Sequence, residues 1–206
     1  MINRTNFSRL LIISSFCIFL LISCRGSNVD SFEEDCVKSY SSANSSLNDY
    51  YIDKKNYHLD TALNEIEKVY NLCPDYKTRL TDLKFKILIL LRDDQKGLVF
   101  VNSLDSATFN KAYKKKLYLT IFEAFKYEKQ ADTVKSKIVY EDIVKEIEKY
   151  VSNNPSDKEA FCDLLFNKIK IIGKESVLKE IDSLYANKFE PSFMEAIKET
   201  IINAPE

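Results

Sequence analysis

Apolar residues recur along most of this chain at the spacing of an amphipathic helix. The clearest stripe begins at Leu59 and continues at intervals of three and four residues until Pro74 interrupts it. In a helix of about 3.6 residues per turn, this spacing places the side chains on one face. The stripe consists of Leu59, Ala62, Leu63, Ile66, Val69 and Tyr70. We therefore predict a helix here that buries one side.

The same spacing predicts further helices as far as the C-terminus. They cover residues 77–91, a short segment ending near 104, and residues 108–128, 138–151, 157–172, 176–185 and 191–202. Apolar side chains, Leu88 among them, nearly encircle the segment 77–91, so we expect that helix to be buried on both sides. Only three glycines and four prolines occur in 206 residues, too few for the turns of a sandwich or barrel. The predicted fold class is all-α.

An earlier helix is predicted from Ser31, because Ser31-x-x-Glu34 has the pattern of a capping box. A stretch rich in serine and asparagine, residues 39–48, favours a helix less strongly. Three tyrosines follow, and we expect them to be core or groove aromatics of the first helical hairpin. They are Tyr50, Tyr51 and Tyr57.

The N-terminus carries a different pattern, that of a secretory signal. Arg4 and Arg9 precede an apolar run, Leu10 to Ile22, that would be about 20 Å long as a helix. A bilayer core is about 30 Å thick, so the run is too short for a permanent span. We interpret it as a targeting segment.

The run ends in Leu21-Ile22-Ser23-Cys24, which resembles the lipobox of bacterial lipoproteins. The resemblance implies that residues 1–23 are a signal peptide that is removed, and that Cys24 is then acylated and becomes the first residue. Two or three acyl chains hold a protein in a leaflet permanently, whereas one holds it weakly. The alternative is an uncleaved short anchor in which Cys24 has no role.

The resemblance also implies a location in the cell envelope, on the periplasmic or surface side of a membrane. Arg25 stands where an aspartate often directs retention in the inner membrane, so it favours the outer membrane where a cell has one. Residues 24–30 are short and polar and form a tether. Residues 31–206 form a helical domain close to the membrane.

Two of the predicted helices resemble the second helix and terminal proline of a tetratricopeptide repeat. Pro74 lies twelve residues after Ala62, and Pro155 lies twelve after Ile143, where the family has alanine. Successive second helices begin near residues 59, 95, 138 and 175, spacings of 36, 43 and 37 against about 34 in the family. The chain contains no Trp and lacks the family's first-helix signature.

This resemblance implies an α-solenoid of stacked antiparallel helical hairpins. Such a stack has a concave surface, lined by the first helix of each pair, that holds a peptide, a helix or another protein. Phe85 and Phe166 are candidates for that surface, although we expect both to pack in the core. The sequence does not identify the ligand-binding residues.

The distribution of charge restricts the kind of partner that the protein can bind. Without residues 1–23 the chain has 28 Lys and Arg against 31 Asp and Glu, a formal charge of −3, which argues against nucleic acid as a partner. Lys111, Lys114, Lys115 and Lys116 form the one dense basic cluster, interpreted as a solvated surface or as a contact for anionic lipid or an acidic partner.

Five cysteines occur, of which Cys17 belongs to the signal and Cys24 is the lipidation site. Cys36, Cys73 and Cys162 remain, so at least one is free in a monomer. Burial as small apolar residues is the simplest expectation for Cys73 and Cys162. A Cys36–Cys73 disulfide is the alternative, because an exported protein can form one.

Residues that carry enzymatic chemistry are scarce. His58 is the only histidine, and glycine occurs only at positions 26, 97 and 173, which excludes a glycine-rich phosphate loop. No Cys-x-x-Cys occurs, so a conventional zinc site is absent from the sequence. We expect no enzyme activity and no cofactor, and an exposed or capping role for His58.

The sequence therefore predicts a lipid-anchored protein whose helical repeats bind a protein or peptide, in envelope assembly or as a scaffold. Two alternatives remain open. One is an immunity lipoprotein that neutralises a delivered toxin, and the other is an unrecognised hydrolase that uses a pair of carboxylates.

We expect Cys24→Ser to abolish acylation, because serine has no thiolate to accept the diacylglyceryl group. Metabolic labelling with a fatty-acid analogue measures this directly, with Cys17→Ser as the matched control. Normal labelling of the Cys24→Ser chain would contradict the anchor.

Overall fold

The computed structural model describes residues 27–204, and within that range the chain is entirely helical, with no β-strand. The all-α prediction is confirmed. The helices are α1 (Ser27–Asp53), α2 (Asn56–Val69), α3 (Lys77–Leu91), α4 (Asp94–Ser103), α5 (Lys114–Lys129), α6 (Thr133–Asn153), α7 (Lys158–Ile172), α8 (Lys174–Leu184) and α9 (Pro191–Asn203). Short 3-10 turns lie at Pro74–Tyr76 and Ser106–Thr108. In this range no helix has the length and apolar character needed to cross a bilayer.

Aspartates begin three of the helices. Asp93, Asp132 and Asp157 each accept a hydrogen bond from the backbone N–H three residues later, at 3.0 Å. A side-chain oxygen in this position satisfies one of the N–H groups that have no partner in the first turn. These caps set the starts of α4, α6 and α7, and Pro191 begins α9.

Several predicted boundaries are close to the observed ones, and three starts are wrong, one of them that of α6, which begins at Thr133 and not at residue 138. Helix α1 begins at Ser27 and not at Ser31, and it continues through the serine- and asparagine-rich residues 39–48. Buried side chains at Cys36 and Ala43 give this segment an inward face. Tertiary burial therefore overrides its weak helix propensity.

The third wrong start is that of α5, which begins at Lys114 and not at residue 108. The residues between the Ser106–Thr108 turn and α5 form turns. Asp105 caps the 3-10 turn by accepting from the Ala107 N–H at 2.8 Å. Tyr113 is only 1% exposed although it precedes the helix. The apolar spacing before Lys114 therefore reflects buried side chains in a turn, and not a helix.

The chain divides into two compact units, one ending at Ile87 and the other beginning at Leu88. In the first, α1 packs against α2, and buried apolar side chains come from α1, α2 and α3. The Tyr70 hydroxyl and the Thr81 Oγ1 form a buried hydrogen bond of 2.8 Å that joins the end of α2 to α3. Phe85 in this unit and Leu88, with which the second unit begins, are both buried as expected.

In the second unit, consecutive helices from α4 to α9 pack against one another. Their apolar side chains form two clusters. One includes Tyr113, Leu117, Ala124, Tyr140, Ile143, Val144, Ile147, Val151, Ala160 and Leu164. The other consists of Phe161, Leu165, Val177, Ile181, Met194, Ile197 and Ile201, with Phe166 packed against it as expected. Helix α7 contributes to both clusters.

A disulfide joins Cys36 in α1 to Cys73, just after α2, across a sequence separation of 37. Both cysteines are buried, with 4% and 2% of their surface exposed, and their Cα atoms are 5.9 Å apart. This resolves the alternatives for Cys73 in favour of the bridge. Cys162 is a free, half-buried cysteine.

Removing the bridge with Cys36→Ser/Cys73→Ser should lower the free energy of unfolding by about 4 kcal/mol. The bridge closes a loop across a sequence separation of 37, and without it the unfolded chain gains conformational entropy. Denaturant unfolding with and without reductant measures the loss. Reductant should bring the wild type to the level of the double variant and leave the variant unchanged. A wild type insensitive to reductant would contradict the bridge.

Gly97 in α4 lies directly against the fully buried ring of Phe122 in α5, and a Cβ at this position would overlap the ring. Gly97→Ala should therefore destabilise the protein by about 1–3 kcal/mol, although alanine favours a helix by about 1 kcal/mol. Phe122→Leu should recover part of the loss in a double-mutant cycle. A stabilised Gly97→Ala variant would contradict this contact.

Candidate functional surfaces

The predicted lipidation site, Cys24, lies outside the described residues, as do the rest of the lipobox and Arg25. The anchor therefore stays a prediction from the sequence.

The interpretation of the basic cluster as a solvated surface is wrong for Lys111 and Lys114. Only 10% of each side chain is exposed, because both ammonium groups face acids at the start of α7. Lys111 contacts Asp157 and Glu159 at 2.7 Å each, and Lys114 contacts Glu159 and Asp163 at the same distance. The two lysines are thus neutralised within the molecule.

The other two lysines of the cluster also have partners in this chain. Lys115 donates to the Leu104 carbonyl at 2.7 Å, which closes the end of α4. Lys116 lies 2.8 Å from both Asp142 and Glu146 on α6. The expected contact of the cluster with anionic lipid or an acidic partner is therefore not favoured, since these ammonium groups already have oxygen partners.

Tyr113 completes the network between α5 and α7. Its hydroxyl donates to Asp163 Oδ2 at 2.7 Å, and its ring meets Tyr150 edge-on at 4.9 Å between centroids. Burial raises the pKa of Tyr113, and the Asp163 carboxylate raises it further. The phenol is therefore neutral and donates a hydrogen bond to the Asp163 carboxylate, which Lys114 also contacts.

The electrostatics of this network are those of a structural element. Burial alone would raise the pKa of Asp157, but the Lys111 ammonium and the Ala160 N–H outweigh burial and lower it. The same balance, with Lys111 and Lys114, lowers the pKa of Glu159. Both stay ionised near neutral pH, and neither has the raised pKa that a general acid needs. Within the described residues, every buried side-chain nitrogen and oxygen has a hydrogen-bond partner.

Two shallow hollows lie on the described surface. A hollow of about 250 Å³ between α6, α7 and α8 contains Lys168, whose ammonium contacts Glu148 at 3.2 Å and Glu180 at 2.8 Å. This is below the roughly 300–1,000 Å³ of small-molecule sites. A second hollow of about 430 Å³ is lined by the single segment 183–188, so groups from different elements do not converge on it.

His58 lies in the first turn of α2, where its Nε2 is 3.2 Å from Asp53 Oδ2 at the end of α1. The side chain is 16% exposed, so it is more enclosed than expected. Its partner Asp53 also accepts from the Lys55 N–H at 2.9 Å, and that bond, followed by the contact with His58, lowers the pKa of Asp53. Across residues 27–204 no group of histidine, cysteine, aspartate or glutamate side chains is placed to hold a metal.

The largest departure from expectation lies at the turn between α1 and α2. Tyr51 and Tyr57, expected in a core or groove, are 46% and 57% exposed, and Ile52 between them is 83% exposed. Ile52 is the most exposed large hydrophobic side chain in the described part of the chain.

The exposure of Ile52 could have been predicted from its position relative to the buried residues of α1. Between residues 33 and 53 of α1, the buried side chains are Cys36, Ala43 and Leu47. Ile52 lies nine residues after Ala43, which at about 100° per residue places it on the opposite side of the helix. Extending the buried stripe of α1 to its last turn would have placed Ile52 outward.

The chain matches no protein-family model, no curated protein and no solved structure. Its function must therefore be argued from its own residues.

Asp157→Asn tests the network, because asparagine retains the helix cap but loses the charge that faces Lys111. A carboxyl whose pKa is lowered in the folded state stabilises it above its unfolded pKa of about 4, and this stability is lost as the pH falls. The variant should be about 1–3 kcal/mol less stable at pH 7. The difference from wild type should shrink towards zero near pH 2.

Chemical denaturation across this pH range checks the effect, with Glu199→Gln as the control from the exposed surface of α9. The control should differ little from wild type at either pH. A loss in Asp157→Asn that is the same at pH 2 and pH 7 would show that its cause is not the ion pair.

Proposed function

We propose that this protein is a lipoprotein of the cell envelope, anchored through Cys24, whose helical domain binds a protein or peptide partner. The observation that carries the exported location is the buried Cys36–Cys73 disulfide. Structural disulfides persist in oxidising compartments and are rare in the cytosol. This supports the lipobox independently, because the two features lie in different parts of the chain and depend on different chemistry.

Binding is favoured over catalysis because the main charged groups are paired with one another within the chain. The strongest cluster of charge in the described residues, around Lys111, Lys114 and Asp163, is internally paired. The hollow around Lys168 is small and its ammonium is held by two glutamates. The accessible apolar groups are instead individual side chains, among them Tyr51, Ile52 and Tyr57. Aromatic side chains are enriched at the core of protein-binding surfaces.

We also propose that the helices form repeats similar to tetratricopeptide repeats. The starts expected near residues 59, 95, 138 and 175 fall within or next to α2, α4, α6 and α8. Packing between consecutive helices in each unit supports this arrangement. The observed helices vary from 10 to 27 residues, so the repeats depart from a regular length.

The proposal is tested by crosslinking the native protein in its own cells and purifying it from the membrane fraction. One stoichiometric partner should be enriched with the wild type and reduced with Cys24→Ser, because the unanchored chain no longer meets the partner at the membrane. The identity of the partner separates an assembly factor from an immunity protein. Absence of any partner, with the protein still in the membrane, would overturn the proposal.

A further inference from the structure

Helix α1 buries few side chains for its length. Residues 33–53 make about six turns, and an amphipathic helix that packs on a core buries about three or four apolar side chains in every two turns. In this range only Cys36, Ala43 and Leu47 are buried. Helix α2, with 14 residues, buries five. Helix α1 therefore has less noncovalent attachment than its length would allow.

Small polar side chains occupy much of the remaining inward side of α1. Ser39, Asn44 and Ser46 are half-buried. Enclosing such polar groups gives no apolar gain, and serine and asparagine favour a helix less than alanine does. Within residues 33–53, Leu47 is the one large apolar side chain that is buried. Packing alone therefore attaches α1 weakly.

Helices α2 and α3 are joined by contacts that do not involve α1. The buried hydrogen bond between Tyr70 and Thr81 connects the end of α2 to α3, and Lys84 Nζ lies 3.3 Å from Glu67 Oε1. The large buried side chains of the two helices include Leu59, Leu63, Ile66, Leu80, Phe85 and Ile87. These two helices thus have a noncovalent attachment that α1 lacks.

The disulfide bridge holds α1 at the end far from the α1–α2 turn. Asp53 ends α1 and continues directly into the turn, so the chain itself holds that end. Cys36 lies 17 residues before Asp53, about 26 Å along the helix, and is bonded to Cys73. The rings of Tyr40 and Tyr76, 5.8 Å apart between centroids, meet one turn from the bridge. Without the bridge, only the turn would hold α1 firmly.

We propose that α1 docks on α2 only when the Cys36–Cys73 bridge is formed, and that reduction releases α1 while α2, α3 and the second unit stay folded. Both apolar clusters of the second unit lie within residues 113–201, so they do not include α1. Released α1 loses most of its helix, because a segment so rich in serine and asparagine depends on tertiary packing.

The bridge forms by thiol–disulfide exchange with an oxidant of the disulfide class. One cysteine thiolate attacks the disulfide of the oxidant, and the other thiolate then displaces the oxidant from the mixed disulfide. The two cysteines lose two electrons and two protons, and the oxidant leaves as a dithiol. A dithiol reductant reverses these steps. Cys36 and Cys73 are only 4% and 2% exposed in the docked state, so the bridge is protected once α1 has docked.

The bridge also determines how far the first unit can reach from the membrane, an inference that rests on the proposed anchor at Cys24. Ser27 is three residues after Cys24, at most about 11 Å away. The helix from Ser27 to Cys36 adds about 14 Å. The reach from the anchor to the bridge is therefore about 25 Å.

Without the bridge, the first firm attachment is the α1–α2 turn. Asp53 is 29 residues after Cys24, so an extended chain reaches about 100 Å. If released α1 stayed helical, the reach would still be about 50 Å. Oxidation therefore holds the first unit close to the membrane, and reduction lets it move outward.

Hydrogen exchange of the purified full-length chain, followed by mass spectrometry, tests the release of α1. Oxidised wild type is compared with Cys36→Ser/Cys73→Ser and with wild type reduced in denaturant and refolded in dithiothreitol. In both bridge-free samples, amides of residues 36–50 should exchange at least about tenfold faster, while α2, α6 and α7 keep their protection. Unchanged protection of residues 36–50, or equal loss in α2 and α6, would overturn the proposal.

Two variants that retain the bridge serve as controls. Cys162→Ser removes the free thiol and should match oxidised wild type in residues 36–50. Leu47→Ala removes the largest buried side chain of that segment and should accelerate its exchange less than loss of the bridge does. The reverse order would show that packing holds α1 and would refute the role of the bridge.

Neutron reflectometry of the acylated chain on a supported phosphatidylcholine bilayer measures the reach. The outer edge of the Cys36→Ser/Cys73→Ser layer should lie at least about 25 Å further from the bilayer than that of oxidised wild type. Layers of equal thickness would refute the change in reach. Wild type that fails to attach to the bilayer would refute the anchor of the proposed function, whereas hydrogen exchange would still decide whether the bridge docks α1.

Discussion

Helix α7 has to be buried on two faces, and the packing of the second unit depends on this constraint. Ala160 and Leu164 belong to the cluster shared with α5 and α6, whereas Phe161 and Leu165 belong to the cluster shared with α8 and α9. A helix with two apolar faces cannot be satisfied by one neighbour, so both clusters must form together. The acids at its N-terminal end pair with Lys111, just before α5, and with Lys114, the first residue of α5. They fix the position of α7 along its neighbour, because a shift by one turn would leave buried charges unpaired.

The first unit is stabilised by a different means. In its described part, buried apolar residues come from α1, α2, the segment after α2 and part of α3, and small cores give little net stability. A covalent bridge from Cys36 to Cys73 compensates by restricting the unfolded chain. Such a bridge persists in an oxidising compartment, so the stability of this unit depends on the redox state of its surroundings.

The sequence predicts the helices wherever local spacing reports burial, as at Leu59–Tyr70, and wherever a proline or an aspartate marks an end. It fails where pairing is long-range. Lys111 and Asp157 are 46 residues apart, so no local pattern shows that the lysine is enclosed. The Cys36–Cys73 bridge was only an alternative to simple burial of Cys73 for the same reason, since the two cysteines are 37 residues apart. The exposure of Ile52 depends on how α1 is rotated against α2, which spacing within α1 indicates only once its buried stripe is known.

The Cys36–Cys73 bridge also determines how mechanical tension passes through the molecule. A pull between the N-terminal end of α1 and the chain beyond Cys73 runs from Cys36 directly across the bridge. The intervening chain forms a closed loop outside that path, so it is not stretched when the ends are pulled. The α1–α2 turn lies within this loop, and its shape is therefore protected when the two ends are drawn apart.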